Sequence, residues 1–208
     1  MHHWPVPGTL LVLLALLTFG GCSFGQGQTT RYYILTSLTP ASTAAAPLRG
    51  RDLAVGVGPV QLPQYVNRPQ IVTGRTSHEL QQASFEQWAE PLRDNFVRVL
   101  AENLSVLLAT DRVAVFPWKG PMPVAYQVIV EVTHFLGEVG GETSLVALWS
   151  IVGNNGRDVL VSQKSSFREP TGQDGYEAVA AALSRTVAAL SREVATAITT
   201  LAGQAAKE

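Results

Sequence analysis

Val124-Ala125-Tyr126-Gln127-Val128-Ile129-Val130-Glu131-Val132 is the stretch on which the fold turns. Successive side chains of a strand point to opposite faces, so Val124, Tyr126, Val128, Val130 and Val132 share one side. Thr143 to Val152 repeats the pattern with Leu145, Ala147, Trp149 and Ile151, and Gly137 to Gly141 supplies the turn between the two. Asn155-Gly156 tolerates positive φ at both positions and predicts a hairpin, with Arg157 to Phe167 as the returning strand. Upstream the period changes. Leu92, Phe96, Leu100, Leu104 and Leu107 recur every three or four residues, which predicts an amphipathic helix ending by Thr110. Pro91 suits its first turn. Downstream, Val179, Leu183, Val187, Leu190, Val194, Ile198 and Leu201 predict a second helix, opened by Asp174-x-x-Glu177 as a capping box. Shorter strands are predicted at Arg31–Leu35, at Leu53–Val57 ended by Gly58-Pro59, and at Val113–Phe116. Ile71–Thr73 and Glu79–Gln82 predict a hairpin around Gly74. The order is strands, helix, strands, helix, which predicts an α/β fold: a mixed sheet with two main helices packed against it. It forms a single domain over residues 31–202, with a short tail at 203–208.

The N-terminus reads differently. Leu10-Leu11-Val12-Leu13-Leu14-Ala15-Leu16-Leu17 is an apolar run followed by Thr18-Phe19-Gly20-Gly21-Cys22-Ser23. A membrane-spanning helix needs about 20 apolar residues, and this run is shorter. It matches the apolar region of a signal peptide. Small residues before a lone cysteine are what a lipoprotein signal peptidase requires, so residues 1–21 are expected to be a signal peptide and Cys22 the lipidated first residue. Ser23 beside it resembles the signal for export to the outer membrane in Gram-negative bacteria. Residues 22–30 then form a flexible tether reaching roughly 30 Å at ~3.3 Å per residue. One acyl chain holds a bilayer marginally and two or more hold it firmly.

Composition narrows the function. The formal net charge is −1, with no basic stripe, so nucleic-acid binding has no electrostatic support. One cysteine excludes a disulfide framework and a thiolate metal site. His78 and His134 stand far apart, and no metal or further cofactor is expected. Gly21-Cys22-Ser23-Phe24-Gly25 spells G-x-S-x-G but lacks the strand–turn–helix context of a hydrolase. Gly56-Val57-Gly58 lacks the third glycine and helix of a dinucleotide fingerprint. Glu86 and Glu90 could share a helix face, without a third group beside them. Asn103-Leu104-Ser105 is a glycosylation triplet by spelling alone. No catalytic constellation is present, and no enzyme activity is expected.

Three blocks carry a resemblance. They are Val55-Gly56-Val57-Gly58-Pro59-Val60-Gln61-Leu62-Pro63-Gln64-Tyr65-Val66-Asn67-Arg68-Pro69-Gln70-Ile71-Val72, then Glu86-Gln87-Trp88-Ala89-Glu90-Pro91-Leu92, then Val99-Leu100-Ala101-Glu102-Asn103-Leu104. With Tyr32-Tyr33-Ile34-Leu35 and Phe116-Pro117-Trp118, they resemble the ABC-type transport auxiliary lipoprotein family of the PqiC/YmbA type, over nearly all of the mature chain. The resemblance implies a lipoprotein on the periplasmic face of the outer membrane. It would be accessory to a lipid-transport system built on an MCE-domain protein and an inner-membrane permease, and would support envelope integrity. A homo-oligomeric ring would strengthen such docking by avidity. Tyr65, Asn67 and Arg68, expected exposed in a proline-bounded loop, and Trp88 and Trp118, as core or rim anchors, are the candidate partner-binding residues. The alternative is a lipoprotein regulator or scaffold of another envelope complex, such as a cell-wall synthase.

Overall fold

The computed structural model describes residues 28–39, 53–76, 78–118, 124–153 and 156–207. Cys22, the signal segment and Asn155 lie outside them. Among the described residues, eight strands and two helices follow one another as β1 (Arg31–Tyr33), β2 (Val55–Gln61), β3 (Gln70–Thr76), β4 (Glu79–Trp88), α1 (Leu92–Leu108), β5 (Val113–Val115), β6 (Tyr126–Gly137), β7 (Glu142–Gly153), β8 (Asp158–Pro170) and α2 (Tyr176–Ala205). The α/β expectation is met: a single mixed sheet carries both helices.

β6 is where the two arms of the sheet meet. β7 and β8 continue from it as an antiparallel meander. On its other side β2 runs parallel to its first half, and β3 reaches it through Thr73 beside Gly137. β5 lies parallel beyond β2, while β4 and then β1 lie beyond β3. Val128, Val130, Val132, Leu145, Ala147, Trp149 and Ile151 are all buried, as the alternation predicts. They meet the apolar stripes of both helices, and Phe96 of α1 packs edge-on against Phe135 of β6 at 5.5 Å. Leu201 is the one partly exposed member of the α2 stripe.

Four expectations are corrected. β2 does not end at Gly58-Pro59. Gly58 (φ 113) and cis-Pro59 form a bulge between Val57 and Val60, and pairing with β6 resumes at Val60 and Gln61. Gln127 Nε2 donates to the Gly58 carbonyl at 2.8 Å, which closes the irregularity. Gly74 is not a turn residue but sits within β3, opposite Leu80. α2 has no capping box, because it starts after Gly175 (φ 101) without a side-chain cap bond. Glu86 and Glu90 share no helix: Glu86 lies on β4, and Glu90 precedes α1 and accepts from Arg98 at 2.6 Å.

Between the helices runs a segment that the sequence does not announce. Residues 34–39 lie extended after β1, held by side chains rather than by a sheet. Asn95 Oδ1 accepts from the Leu35 N–H at 2.6 Å, Ser184 Oγ from Thr36 at 3.1 Å, and Asn103 Oδ1 from Leu38 at 2.7 Å. Asn103 Nδ2 also donates to Ser191 Oγ at 3.0 Å. Asn95 and Asn103 are eight positions apart on α1, so they stand on one helix face and form a two-point clamp.

Candidate functional site

The best-formed recess is a groove of about 460 Å³ between α1 and the carboxyl ends of β2 and β5. Parallel strands that end under a helix leave such a crevice, which is where open α/β sheets bind ligands. Its floor is Val57, Val60, Val97 and Ala101, and its lip is Pro59, Val115, Phe116 and Pro117. The bulge in β2 shapes it, since a Cβ at Gly58 would stand only 3.1 Å from Phe116 Cβ. Phe116 is 46% exposed and packs edge-on against Trp118 with ring centres 5.5 Å apart. The rim charges neutralise one another: Arg98 bridges Glu90 and Glu102, and Arg93 pairs with Asp94. An apolar floor inside a self-neutralised rim suits an apolar occupant and leaves little Coulombic field for an ion.

The five candidate partner residues do not converge on this groove. Asn67 and Arg68 are exposed, and Arg68 donates to Gln82 Oε1 at 3.1 Å. Tyr65 is half-buried, not exposed as expected: it packs against the core, and its pKa is raised by that burial. Trp88 is buried at the end of β4, and its backbone N–H donates to the Pro69 carbonyl at 2.7 Å. Trp118 covers Gly56, where any Cβ would collide with the indole ring. The groove residues Pro59, Val97, Ala101 and Val115 were absent from the candidates. Phe116 stood in the resemblance as a neighbour of Trp118 without a role.

No group of His, Cys, Asp and Glu able to hold a metal occurs among the described residues. His134 lies on β6 opposite Val146, half-buried, with its pKa lowered by burial and then by Arg168. A polar cluster sits at β1: Arg31 Nη2 donates to Glu86 Oε1, and the Tyr33 hydroxyl to Glu86 Oε2, each at 2.6 Å. The bond from Arg31 holds the Glu86 carboxyl below its usual range. Burial, then Glu86, pushes Tyr33 up to about 12.

The Tyr33 shift has a signed consequence. A pKa raised on folding stabilises below the unfolded value of about 10, and that contribution is lost as pH rises toward the folded value. Tyr33→Phe should cost about 1 kcal/mol at neutral pH, through the lost hydrogen bond. The gap between wild type and variant should shrink toward the folded Tyr33 value near 12. Denaturation midpoints in neutral and in strongly alkaline buffer test this, and a pH-independent gap would refute it.

The domain is thus a mixed α/β fold with an apolar groove between α1 and the ends of β2 and β5. The chain belongs to the family of the ABC-type transport auxiliary lipoprotein component, whose model matches residues 33–195. Two solved structures share its fold. One is a protein described as uncharacterized, with TM-score 0.67 and 20% identity over 82% of this chain and 99% of its own. The other, from Xanthomonas campestris and of family DUF330, has TM-score 0.66 and 16% identity over 86% of this chain and 100% of its own. Among curated proteins there is no significant match. No helix among the described residues is long and apolar enough to cross a membrane.

Proposed function

We propose that the chain is a non-catalytic accessory subunit of an MCE/Pqi-type intermembrane lipid transport system. Lipid on Cys22 anchors it to the periplasmic face of the outer membrane, and it supports envelope integrity there. The observation that carries this reading is the family match over residues 33–195, combined with an exposed apolar groove. The partners are an MCE-domain protein and its inner-membrane permease. The groove around Phe116 and Pro59 engages the MCE protein, and a homo-oligomer multiplies the contact. Apart from the covalent lipid, no cofactor takes part.

The test is a crosslinked pull-down of the tagged, lipidated protein from its own membranes, read by mass spectrometry. Recovery of an MCE-domain protein and permease is expected. Phe116→Asp should cut that recovery at least tenfold, the effect of losing one interface anchor of about 2 kcal/mol. It should leave folding intact, because the ring is nearly half exposed. Recovery of a cell-wall synthase in their place would overturn the reading in favour of a regulator.

A further inference from the structure

We propose that the free edge of β5 takes an added strand. An extended, uncharged segment of the transport partner pairs with Val113 and Val115 and lays its alternate apolar side chains in the groove beneath α1. This deepens the proposed function and rests on it.

The backbone of β5 faces two ways. Val55 N–H donates to the Arg112 carbonyl and Phe116 N–H to the Val57 carbonyl, each at 2.9 Å, and Gly56 lies beside Ala114 between them. Residues 112, 114 and 116 therefore turn their backbone groups toward β2. Successive residues of a strand alternate in this respect, so Val113 and Val115 turn theirs outward. β5 ends the sheet on that side, with no strand beyond it among the described residues. Such outward N–H and C=O groups are a ready template for another chain.

The groove continues this edge. Val115 is 44% exposed and lines the groove together with Val57, its neighbour on β2. A chain laid along β5 would point every second side chain to that same face, over Val97 and Ala101 of α1. In strand addition, main-chain bonds supply the affinity and pockets for alternate side chains supply the specificity. Both halves of that arrangement meet at Val115.

The other free edges are built differently. β8 also pairs with one strand only, but its edge carries exposed Lys164 and Arg168, ends in Pro170, and bulges at Leu160, where Ile151 faces Val161 and Val152 faces Val159. Charge, proline and a bulge each blunt an edge. β1 bears Arg31 and runs on into the segment clamped between the helices. β5 reads Val-Ala-Val and keeps an unbroken register with β2. The rim charges of the groove pair with one another, so the entering side chains need no counter-charge. A helix or an acyl chain could fill the groove but would leave the Val113 and Val115 groups to water. An extended chain satisfies both.

Two substitutions separate backbone pairing from side-chain contact. Val115→Pro removes one outward N–H, a change that edge strands tolerate. Val115→Ala trims the side chain and keeps the N–H. Denaturation midpoints establish that both variants fold. In the crosslinked pull-down, Val115→Pro should cut recovery of the MCE-domain protein roughly tenfold, and Val115→Ala less than about threefold. Amide exchange of the wild-type chain, resolved by NMR with and without the purified MCE-domain protein, is the second measurement and decides alone if Val115→Pro does not fold. The Val113 and Val115 amides should exchange freely in the isolated chain and slow at least about tenfold in the complex. Equal losses in both variants, or unchanged exchange at 113 and 115 in a complex that still forms, overturn the added strand and leave docking in the groove standing. Slow exchange in the isolated chain that survives dilution would mean that the chain fills its own edge. Slowing that grows with the concentration of the isolated chain would assign the edge to a second copy. Either result overturns the proposal. A wild-type chain that binds no MCE-domain protein overturns it together with the function on which it rests.

Discussion

Asn103→Leu is expected to destabilise the domain by about 3 kcal/mol. The side chain is fully buried and makes two bonds, accepting from Leu38 N–H and donating to Ser191 Oγ. Leucine has the same branched shape and number of heavy atoms, with methyl groups bulkier than the amide, so the cost combines tighter packing with the loss that falls on polar groups. Each orphaned buried donor or acceptor costs about 1–3 kcal/mol. Ser191 keeps its own bond to the Val187 carbonyl, so most of the cost comes from the stranded Leu38 N–H and loosening of the segment it holds. Urea unfolding of both proteins measures the difference. A change below about 1 kcal/mol, the worth of an ordinary hydrogen bond, would show that the clamp is not the fastening described. Asn95→Leu should behave alike, and the double variant should fall short of the sum, because both side chains hold one segment.

Trp149→Ala should cost about 3–5 kcal/mol, the range for truncating a large buried aromatic side chain. Trp149 is among the largest fully buried side chains and faces the helices from the centre of β7. Its Nε1–H donates to Ser165 Oγ at 3.0 Å, and Ser165 donates to Glu193 of α2 at 2.6 Å. The indole therefore fills the core and anchors a polar chain that ties β8 to α2. Domains of this kind are stable by about 5–15 kcal/mol in total, so the variant should unfold at markedly lower denaturant. Trp149→Phe separates the two roles: it keeps most of the volume and should lose only about 1–2 kcal/mol with the missing bond. Equal losses in both variants would mean that the hydrogen bond, and not the volume, dominates.

The elements legible in the sequence are those whose burial follows a single period. β6 and β7 alternate, and α1 and α2 repeat at helical spacing, because each buries one face against one partner. The remainder depends on contacts distant in the chain. Phe85-Glu86-Gln87-Trp88 does not read as a strand, because its buried carboxylate is satisfied by Arg31 and Tyr33, more than fifty residues earlier. Gly58-Pro59 reads as a stop, yet Gln127 supplies what the bulge needs for β2 to continue. Asn103 spells a glycosylation triplet, and nothing local reveals that it binds the backbone of Leu38. The groove was the least legible feature. Its walls come from β2, α1 and the end of β5, and only the fold brings Val57, Val97 and Phe116 together.

The clamp on residues 34–39 also bears on mechanics. On the proposed function, a subunit held by lipid at one side and by a partner at the other would carry tension along its chain. Tension applied ahead of Arg31 runs along the axis of β1, whose ladder to β4 is followed directly by the bonds from Asn95, Ser184 and Asn103. These fastenings lie in series along the line of pull and across it, so they are loaded in shear together rather than peeled apart one at a time. The domain would thus resist traction applied at the start of β1.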